Sequence, residues 1–337
     1  MEELIAANQL FCILLFGEVS NNRKWSILWR KKVILKSSIL AVAAGLSVFA
    51  INSVFADELP VQFMGVNDFH GALEQTGTAR LEGETVKNAG TAPLLATYLN
   101  DSQKDFETEN AGTPNASIRV QAGDMVGASP ANSALLQDEP TVKVFNEMNF
   151  EYGTLGNHEF DEGLGEFNRI MKGEAPTPGQ FNKIVDEYPH EASKQEVVIA
   201  NLVDKDTNKI PFDWKPYTIK EIPVNDKTVK VGFIGVVTTE FPNLVLRKNH
   251  EQYRVLDEAE SIAKYARELN DQGVHAIAVL AHVAATSKNG VAEGPAADMI
   301  KKLNQIYPEN SVDIVFAGHN HQYTNGMVGN TLIVQGT

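Results

Sequence analysis

The chain has 337 residues, of which 43% are hydrophobic and 21% charged, with 29 Lys and Arg against 43 Asp and Glu. This composition is typical of globular domains and excludes long disorder and collagen-like order. The single cysteine, Cys12, excludes an intrachain disulfide and a zinc site made of clustered thiolates. The net charge of −14 disfavours sequence-independent binding to a phosphate backbone. An acidic protein that handles phosphate needs a local positive centre, such as bound metal ions.

The first 56 residues are predicted to be a leader that ends in a secretory signal peptide. A basic stretch over 30–36 precedes a 13-residue apolar run, Ile39–Ile51, and Ala56 ends a Val-x-Ala cleavage site. The apolar run is shorter than the ~20 residues of a membrane span, so cleavage is favoured over a membrane anchor. Cleavage removes six basic and three acidic side chains, which changes the net charge from −14 to −17.

Short runs rich in Val and Ile are predicted to be buried strands, and three amphipathic segments are predicted to be helices. The strands are Val61–Val66, Ile118–Gln121, Glu196–Ala200, Val229–Val237, Ala276–Leu280, Asp313–Phe316 and Thr331–Val334. The helices are Thr141–Met148, Ser261–Gln272 and Ala296–Ile306. Strands that alternate with helices indicate an α/β domain.

We expect this domain to span residues 57–337. Lys172–His190, which is rich in proline, glycine and charge, is predicted to be a surface insertion. The chain ends three residues after an apolar strand, so we expect the domain to be truncated at its C-terminal end.

Side chains that can bind a metal ion follow five apolar segments. In chain order these segments lead into Asn67-Asp68-Phe69-His70, Gly123-Asp124, Gly156-Asn157-His158-Glu159, His282 and Gly318-His319-Asn320-His321. Ligands bind at the carboxyl ends of strands in open α/β sheets, so the five segments are expected to converge. Each motif alone is weak, but five of the eight histidines fall at these ends. The combination therefore indicates a site.

The residue types indicate a metal centre. Imidazole, carboxylate and amide oxygen ligands suit Zn, Mn and Fe. One carboxylate can bridge two ions ~3.5–4 Å apart, and Asp124, in a Gly-Asp turn, is the predicted bridge. Structural roles compete with this interpretation, because His282 alone is consistent with a core histidine and Asp161 with a helix N-cap or an acidic residue in the first turn of a helix.

The ordered motifs resemble the calcineurin-like metallophosphatase family over about residues 60–337. Asn67–Gly71 and Gly156–Asp161 are similar to its secreted 5′-nucleotidase branch, which includes 2′,3′-cyclic-nucleotide phosphodiesterases. The resemblance implies a four-layer α-β-β-α sandwich with two mixed sheets, and two divalent ions that are Mn, Zn, Fe or Co. Gly123–Asn132 and the export signal resemble surface nucleotidases of Gram-positive bacteria, which implies a secreted or cell-surface protein, for example in the cell wall.

The resemblance also implies roles for nine residues. The first ion would be held by Asp68, His70, Asp124 and His321, and the second by Asp124, Asn157, His282 and His319. His158 would lie beside the scissile phosphate, and Asp161 would orient His158. The implied reaction is hydrolysis of a nucleoside 5′-phosphate to nucleoside and phosphate by a metal-activated hydroxide, without a phospho-enzyme.

Other functions remain open from the sequence. A 2′,3′-cyclic-nucleotide 2′-phosphodiesterase/3′-nucleotidase would use the same residues. Members of this branch carry a C-terminal nucleoside-binding domain that is not in this sequence, so a non-catalytic surface protein or a catalytically idle truncated chain are further alternatives. The expected partners are nucleotide substrates, without nucleic acid and without a membrane span in the mature chain. Asn132 and Asn201 either contact substrate or shape loops.

Overall fold

The computed structural model describes residues 13–19, 25–26, 59–81 and 84–336, which contain eighteen strands and eight α-helices. The strands are β1 (Ile13–Val19), β2 (Trp25–Ser26), β3 (Leu59–Val66), β4 (Thr76–Leu81), β5 (Glu84–Gly90), β6 (Ala116–Gln121), β7 (Tyr152–Gly153), β8 (Glu196–Val197), β9 (Leu202–Asp204), β10 (Tyr217–Val224), β11 (Lys227–Val237), β12 (Tyr253–Val255), β13 (Ile277–His282), β14 (Thr286–Lys288), β15 (Val291–Glu293), β16 (Val312–Phe316), β17 (Thr324–Val328) and β18 (Thr331–Gln335). The helices are α1 (Ala92–Glu109), α2 (Ala131–Ala134), α3 (Glu139–Glu147), α4 (Leu164–Lys172), α5 (Lys183–Asp186), α6 (Arg247–His250), α7 (Glu258–Asp271) and α8 (Pro295–Ile306).

Two mixed sheets contain most of the strands. The first sheet has the order β2-β1-β3-β6-β7-β8, and the second has the order β10-β11-β13-β16-β18-β17-β15-β14. Strands β3, β6, β7 and β8 are parallel in the first sheet, and β11, β13, β16 and β18 are parallel in the second. Parallel neighbours end on the same side, so each sheet presents a row of strand carboxyl ends along one edge.

Three apolar cores separate four layers of secondary structure. Helices α1, α3 and α4 cover the outer face of the first sheet through a core that contains Leu99 and Phe145. The two sheets face each other across a second core that contains Phe63 and Phe233. Helices α7 and α8 cover the outer face of the second sheet through a third core that contains Ile262. The α-β-β-α sandwich with two mixed sheets, implied by the resemblance, is therefore confirmed.

The predicted elements are present with bounds that differ by a few residues. The seven predicted strands correspond to β3, β6, β8, β11, β13, β16 and β18, and the three predicted helices correspond to α3, α7 and α8. Helix α7 forms as expected because Asp257 accepts the Glu260 N–H at its start and Ile262 and Leu269 lie buried along one face. Strand β8 is shorter than predicted, since regular pairing covers only two residues.

The predicted insertion, Lys172–His190, lies mostly at the surface and is anchored at its end. His190 Nδ1 is 2.6 Å from Glu139 Oε2, and Glu139 Oε1 is 2.9 Å from Arg169. Glu139 and Arg169 are both buried, so this charged network fixes the insertion to helices α3 and α4.

The predicted signal segment, Ile39–Ile51 followed by Ala56, lies outside the described residues. Within the predicted leader, β1 lies antiparallel to β3, and β2 pairs with β1. In the described ranges, no helix has both the length and the apolar composition that a membrane span requires.

Candidate metal centre and active site

The predicted site residues lie in five turns at the carboxyl ends of strands from both sheets. Asp68 and His70 follow β3; Asp124 follows β6; Asn157, His158 and Asp161 lie in and beside a short 3-10 turn after β7; His282 ends β13; and His319 and His321 follow β16. Backbone hydrogen bonds join the first two turns, from Asp68 N to Gly123 O (3.1 Å) and from His70 N to Asp124 O (3.0 Å). The convergence predicted from the strand ends is present.

The carboxylates and imidazoles form three overlapping groups, in each of which the ligand atoms lie within 4.8 Å of one another. The groups are Asp68, His70 and His321; His70, Asp124 and His158; and Asp124, His282 and His319. Asn157 is the remaining predicted ligand, and its neighbour in the chain, His158, donates its backbone N–H to Asp124 Oδ1 (2.8 Å). The structure thus brings all seven predicted ligands to one place.

Asp124 is the carboxylate that links these groups. It is almost fully buried, and its Oδ2 lies 3.0 Å from His282 Nε2 and 3.8 Å from His70 Nε2. Burial raises the pKa of Asp124, but the charge of His282 and the other imidazoles outweighs this and holds the pKa well below the ordinary value for an aspartate. Asp124 is therefore ionised at any physiological pH.

Asp68 is the second carboxylate of the cluster, and its Oδ1 lies 3.9 Å from His282 Nε2. Its Oδ1 is 3.2 Å from His321 Nε2 and 4.0 Å from His70 Nε2, and both its oxygens are 3.0 Å from the His319 N–H. The hydrogen bond with Asp68 raises the pKa of His321, whereas burial lowers the pKa of His319. The two imidazoles of the Gly-His-Asn-His motif are thus in different electrostatic environments.

Carbonyl oxygens orient two of the imidazoles. His70 Nδ1 lies 3.0 Å from Gly127 O, and His282 Nδ1 lies 2.9 Å from Ala122 O. A carbonyl can only accept, so each Nδ1 carries a proton and each Nε2 points into the cluster. Burial lowers the pKa of His282, but the charge of Asp124 raises it by more, so the pKa of His282 rises to about 10. A cation that binds to His282 Nε2 would displace that proton.

Two buried atoms show that the site fits a cation. Asn157 Oδ1 is shielded from solvent and makes no hydrogen bond with any described residue, and His282 Nε2, equally shielded, has the Asp124 carboxylate at 3.0 Å as its partner. Leaving the Asn157 oxygen without a partner costs about 1–3 kcal/mol, which a bound cation would offset. Imidazole, carboxylate and amide oxygen donors together suit divalent transition metals.

Most of the predicted ligands have a strained backbone conformation. Five of the seven predicted ligands have positive φ angles: Asp68 52°, His70 49°, Asp124 52°, His319 87° and His321 51°. Left-handed conformations of non-glycine residues cost about 1–3 kcal/mol each and cluster at functional sites. A side chain on Gly156 would place its Cβ 2.1 Å from Asp124 Oδ1, so glycine is required where these two turns approach each other.

His158 and Asp161 form a pair at the rim of the cluster. His158 Nδ1 lies 2.8 Å from Asp161 Oδ2, and each side chain is about one-third exposed. The hydrogen bond with Asp161 raises the pKa of His158. The alternative role of Asp161 as a helix N-cap is wrong, since Gly163 occupies the N-cap of α4. Asp161 Oδ2 instead also accepts the Ala128 N–H (3.0 Å).

Glu159 is a structural element of the site to which the sequence analysis assigned no role. Its buried carboxylate accepts backbone N–H groups from Asp124, Met125, Val126 and Gly156, and so ties two ligand-bearing turns together. Burial, together with the charge of Asp124, raises the pKa of Glu159 to about 7, although these N–H groups oppose the rise. A cation in the cluster would lower this pKa. Its place in the Gly156-Asn157-His158-Glu159 motif was the only sequence signal.

The two asparagines left open by the sequence have different surroundings. Asn201 is fully buried, donates to Val237 O (2.7 Å) and Leu256 O (3.1 Å), and accepts the Val237 N–H (3.0 Å), so it shapes a loop. Asn132 is exposed, and its Oδ1 accepts from Gln75 Nε2 at 3.4 Å. Asn132 is therefore the one of the two that a ligand can reach.

Comparison with known proteins identifies the class to which this fold and site belong. The family model for calcineurin-like phosphoesterases matches residues 61–323, and the chain therefore belongs to this family. The family predicted from the motifs is confirmed. The family uses divalent metal ions, which agrees with the donors found here.

The alignments with individual relatives span most of this chain but less than half of each relative. The chain is 54% identical over 289 residues to the cell wall protein Lmo0130 of Listeria monocytogenes, covering 83% of this chain and 36% of that protein. It is 37% identical over 281 residues to the endonuclease YhcR of Bacillus subtilis, covering 83% of this chain and 21% of that protein. A putative 5′-nucleotidase from Staphylococcus aureus shares the fold, with a TM-score of 0.57 and 21% identity over 82% of this chain and 48% of that one.

Proposed function

We propose that this chain is the catalytic part of an exported, two-metal phosphoesterase that hydrolyses nucleoside 5′-phosphates to nucleoside and phosphate. The observation that carries the proposal is the position of Asp124, a buried and ionised carboxylate that lies within reach of the imidazoles on both sides of the cluster. This is the arrangement that a carboxylate bridging two ions requires.

We assign the seven ligands to two ions that share Asp124. The first ion takes Asp68, His70, Asp124 and His321, and the second takes Asp124, Asn157, His282 and His319. The three groups of ligand atoms, the unpartnered Asn157 Oδ1 and the position of His282 Nε2 beside Asp124 support this assignment. Divalent ions in such a site lower the pKa of water and neutralise charge on phosphoryl oxygens. Mn, Zn, Fe and Co all suit these donors.

His158 is assigned to the substrate phosphate rather than to a metal ion. Its ring lies 4.9 Å from the His70 ring at the rim of the cluster, where it is accessible to a substrate. Asp161 holds the proton on His158 Nδ1 and raises the imidazole pKa, so the protonated ring can donate from Nε2 to a phosphoryl oxygen or to the leaving oxygen. We therefore assign to Asp161 the role of orienting His158 and keeping its imidazole charged.

Phosphodiester hydrolysis is the second candidate function. A relative at 37% identity is named as an endonuclease, and other relatives are named as 2′,3′-cyclic-nucleotide 2′-phosphodiesterase/3′-nucleotidases. The net charge of −14 favours small nucleotides over long polyanions as substrates. The cell wall relative and the predicted signal peptide support export to the cell surface.

The test is an assay of metal-dependent hydrolysis with four substrates. The chain from residue 57 onward is assayed with AMP, 2′,3′-cyclic AMP, bis-p-nitrophenyl phosphate and single-stranded DNA, before EDTA treatment, after it, and after Mn²⁺ is restored. We expect turnover of AMP that EDTA abolishes and Mn²⁺ restores. Faster turnover of the cyclic nucleotide or of DNA would select the phosphodiesterase instead. Activity that survives EDTA would contradict both.

A pair of histidine variants tests the role of His158. We expect His158→Asn to lower kcat by about 10²–10⁴ while two Mn²⁺ ions still bind. His275→Asn, at an exposed position before β13, is the matched control and should leave kcat unchanged. Loss of an ion in His158→Asn would instead make His158 a ligand.

A further inference from the structure

We propose that Asn67 is a positioning residue that builds one of the two metal positions by joining Asp68 to the end of the last strand of the second sheet. The inference rests on the proposed two-metal function. It adds to that function a residue that contacts neither substrate nor metal and acts through a ligand. It also ties one metal position to the docking of residues at the far end of the chain.

The side-chain amide of Asn67 has two partners. Its Nδ2 donates to Asp68 Oδ2 at 2.7 Å, and its Oδ1 accepts the backbone N–H of Gly336 at 2.8 Å. Gly336 directly follows β18 and is 269 positions away from Asn67 along the chain. The Gly336 carbonyl oxygen also lies 3.5 Å from Asn67 Nδ2. Both the donor and the acceptor of the amide are therefore used, which fixes its plane.

The hydrogen bond from Asn67 determines which oxygen of Asp68 faces the cluster. Asp68 Oδ2 is held by Asn67, and Oδ1 is turned toward His321 Nε2 at 3.2 Å. The Asp68 side chain is only 4% exposed, so little water competes for its oxygens. Without the Asn67 side chain, the Asp68 carboxylate would keep its hydrogen bonds from the His319 N–H, which reach both oxygens. It would lose the hydrogen bond that Oδ2 alone accepts.

The same link connects the two sheets. Strand β3, which precedes Asn67, belongs to the first sheet, and β18 belongs to the second. The sheets are already in close contact here, because a Cβ on Gly65 would lie 2.4 Å from the Phe316 ring. The Asn67–Gly336 hydrogen bonds extend this apolar contact to the polar edge where the ligands lie. The second sheet thus helps to orient a ligand that the first sheet carries.

Asymmetry between the two ions is the consequence that can be measured. The hydrogen bonds of Asn67 go to Asp68 and Gly336, and Asp68 is assigned to the first ion alone. A residue that hydrogen-bonds to a metal ligand in this way typically contributes about 10–100-fold to metal affinity. Removal of the Asn67 amide should therefore weaken the binding of one ion and leave the other unchanged.

The experiment is a Mn²⁺ titration of the whole chain by calorimetry, with electron paramagnetic resonance to distinguish single from paired ions. We expect the wild type to bind two ions, and Asn67→Ala to bind one with unchanged affinity and the other about 10–100-fold more weakly. Gly336→Pro removes the N–H but leaves Asn67 intact, and should weaken the same ion by a smaller factor. Asn310→Ala is the matched control. The Asn310 amide also forms hydrogen bonds with backbone groups, those of Tyr307 and Val312, but it lies just before the start of β16.

Each result decides between distinct conclusions. Unchanged affinities in both Asn67→Ala and Gly336→Pro, or an equal loss for both ions, would overturn the role of Asn67 while leaving the two-metal function in place. An Asn310→Ala variant that loses one ion would overturn it as well, since the effect would then follow general destabilisation. A wild type that binds fewer than two ions would overturn the two-metal function itself, and this inference with it.

Discussion

The edge of the sheets that carries the ligands and the outer face of the second sheet have opposite designs. At the ligand edge, side chains are polar, several residues have left-handed backbone, and the buried Asn157 Oδ1 lacks a hydrogen bond. Across the outer face, helices α7 and α8 bury Ile262, Leu269 and Ile300 completely, in regular helical conformations. The ligand edge is destabilised by its own geometry, and the outer face supplies apolar burial that offsets this.

This difference indicates how the molecule divides stability and function. Changes at the ligand edge should alter metal binding and turnover, whatever their effect on the folding of the metal-free protein. Changes under α7 and α8 should lower the free energy of unfolding and leave metal affinity unchanged below the melting temperature. Each prediction below tests one side of this division.

Asp124→Asn should have the largest effect. Asparagine has the same shape and tolerates a left-handed φ, so we expect the metal-free variant to fold, with a lower melting temperature because the buried pair with His282 is lost. Without the shared charge, Mn²⁺ should no longer raise the melting temperature, because that rise depends on binding to the folded state. Phosphatase activity should fall below detection. An active Asp124→Asn variant would contradict the assignment of the bridge.

Glu159→Gln should come next. An amide offers one acceptor oxygen where the carboxylate offers two, so its NH₂ group must face backbone N–H donors. We expect Mn²⁺ affinity to fall about 10–100-fold, measured by calorimetry, and the free energy of unfolding to fall by about 1–3 kcal/mol. Glu162→Gln, which removes an exposed charge three positions away, is the control. Equal behaviour of the two variants would show that charge alone matters.

The position of the site could be predicted from the sequence because strand ends carry the information. Hydrophobic runs locate β3, β6, β13 and β16, and parallel strands place their next residues at one edge, so Asp68, Asp124, His282 and His319 were found together. The roles of Glu159 and Asn67 could not be found this way. They depend on contacts between segments that are 34–35 and 269 positions apart, which no local pattern specifies.

The strands that could not be predicted from the sequence are explained by their burial in the sheet. Strand β10 lies at one side of the second sheet and consists mostly of half-buried or exposed residues, and β17 alternates buried with half-buried residues, so the apolar runs of both strands are interrupted. Central strands such as β13 and β16 are buried on both faces, and their continuous apolar sequence makes them recognisable. Burial on two faces therefore separates the strands that could be predicted from those that could not.

Leu269→Ala tests the other side of the comparison. Leu269 is fully buried against Gly232 of β11, so its truncation leaves a cavity. We expect the free energy of unfolding to fall by about 2–5 kcal/mol in urea denaturation, with kcat and Mn²⁺ affinity unchanged at 25 °C. Weaker metal binding in the folded variant would mean that the outer face also positions the ligands, and the proposed division would be wrong.

Asp257→Ala should have the smallest effect and adds a pH dependence. The Asp257 carboxylate caps α7 and lies 2.6 Å from Lys302 Nζ on α8. Burial raises the pKa of Asp257, but the hydrogen bonds from Lys302 and the helix N–H groups outweigh this and lower the pKa below its ordinary value. A lowered folded-state pKa stabilises the protein at pH values above the unfolded-state pKa, and this stabilisation is lost as the pH falls through the folded-state pKa.

Near pH 7 the free energy of unfolding of Asp257→Ala should therefore be lower than that of the wild type by about 1 kcal/mol. Below about pH 4 its difference from the wild type should shrink, because protonation of Asp257 weakens the cap and the ion pair in the wild type itself. Thermal melts of both proteins across this pH range measure that difference, and a constant difference would show that neither the charge of Asp257 nor its pairing with Lys302 contributes to the stability of the outer face.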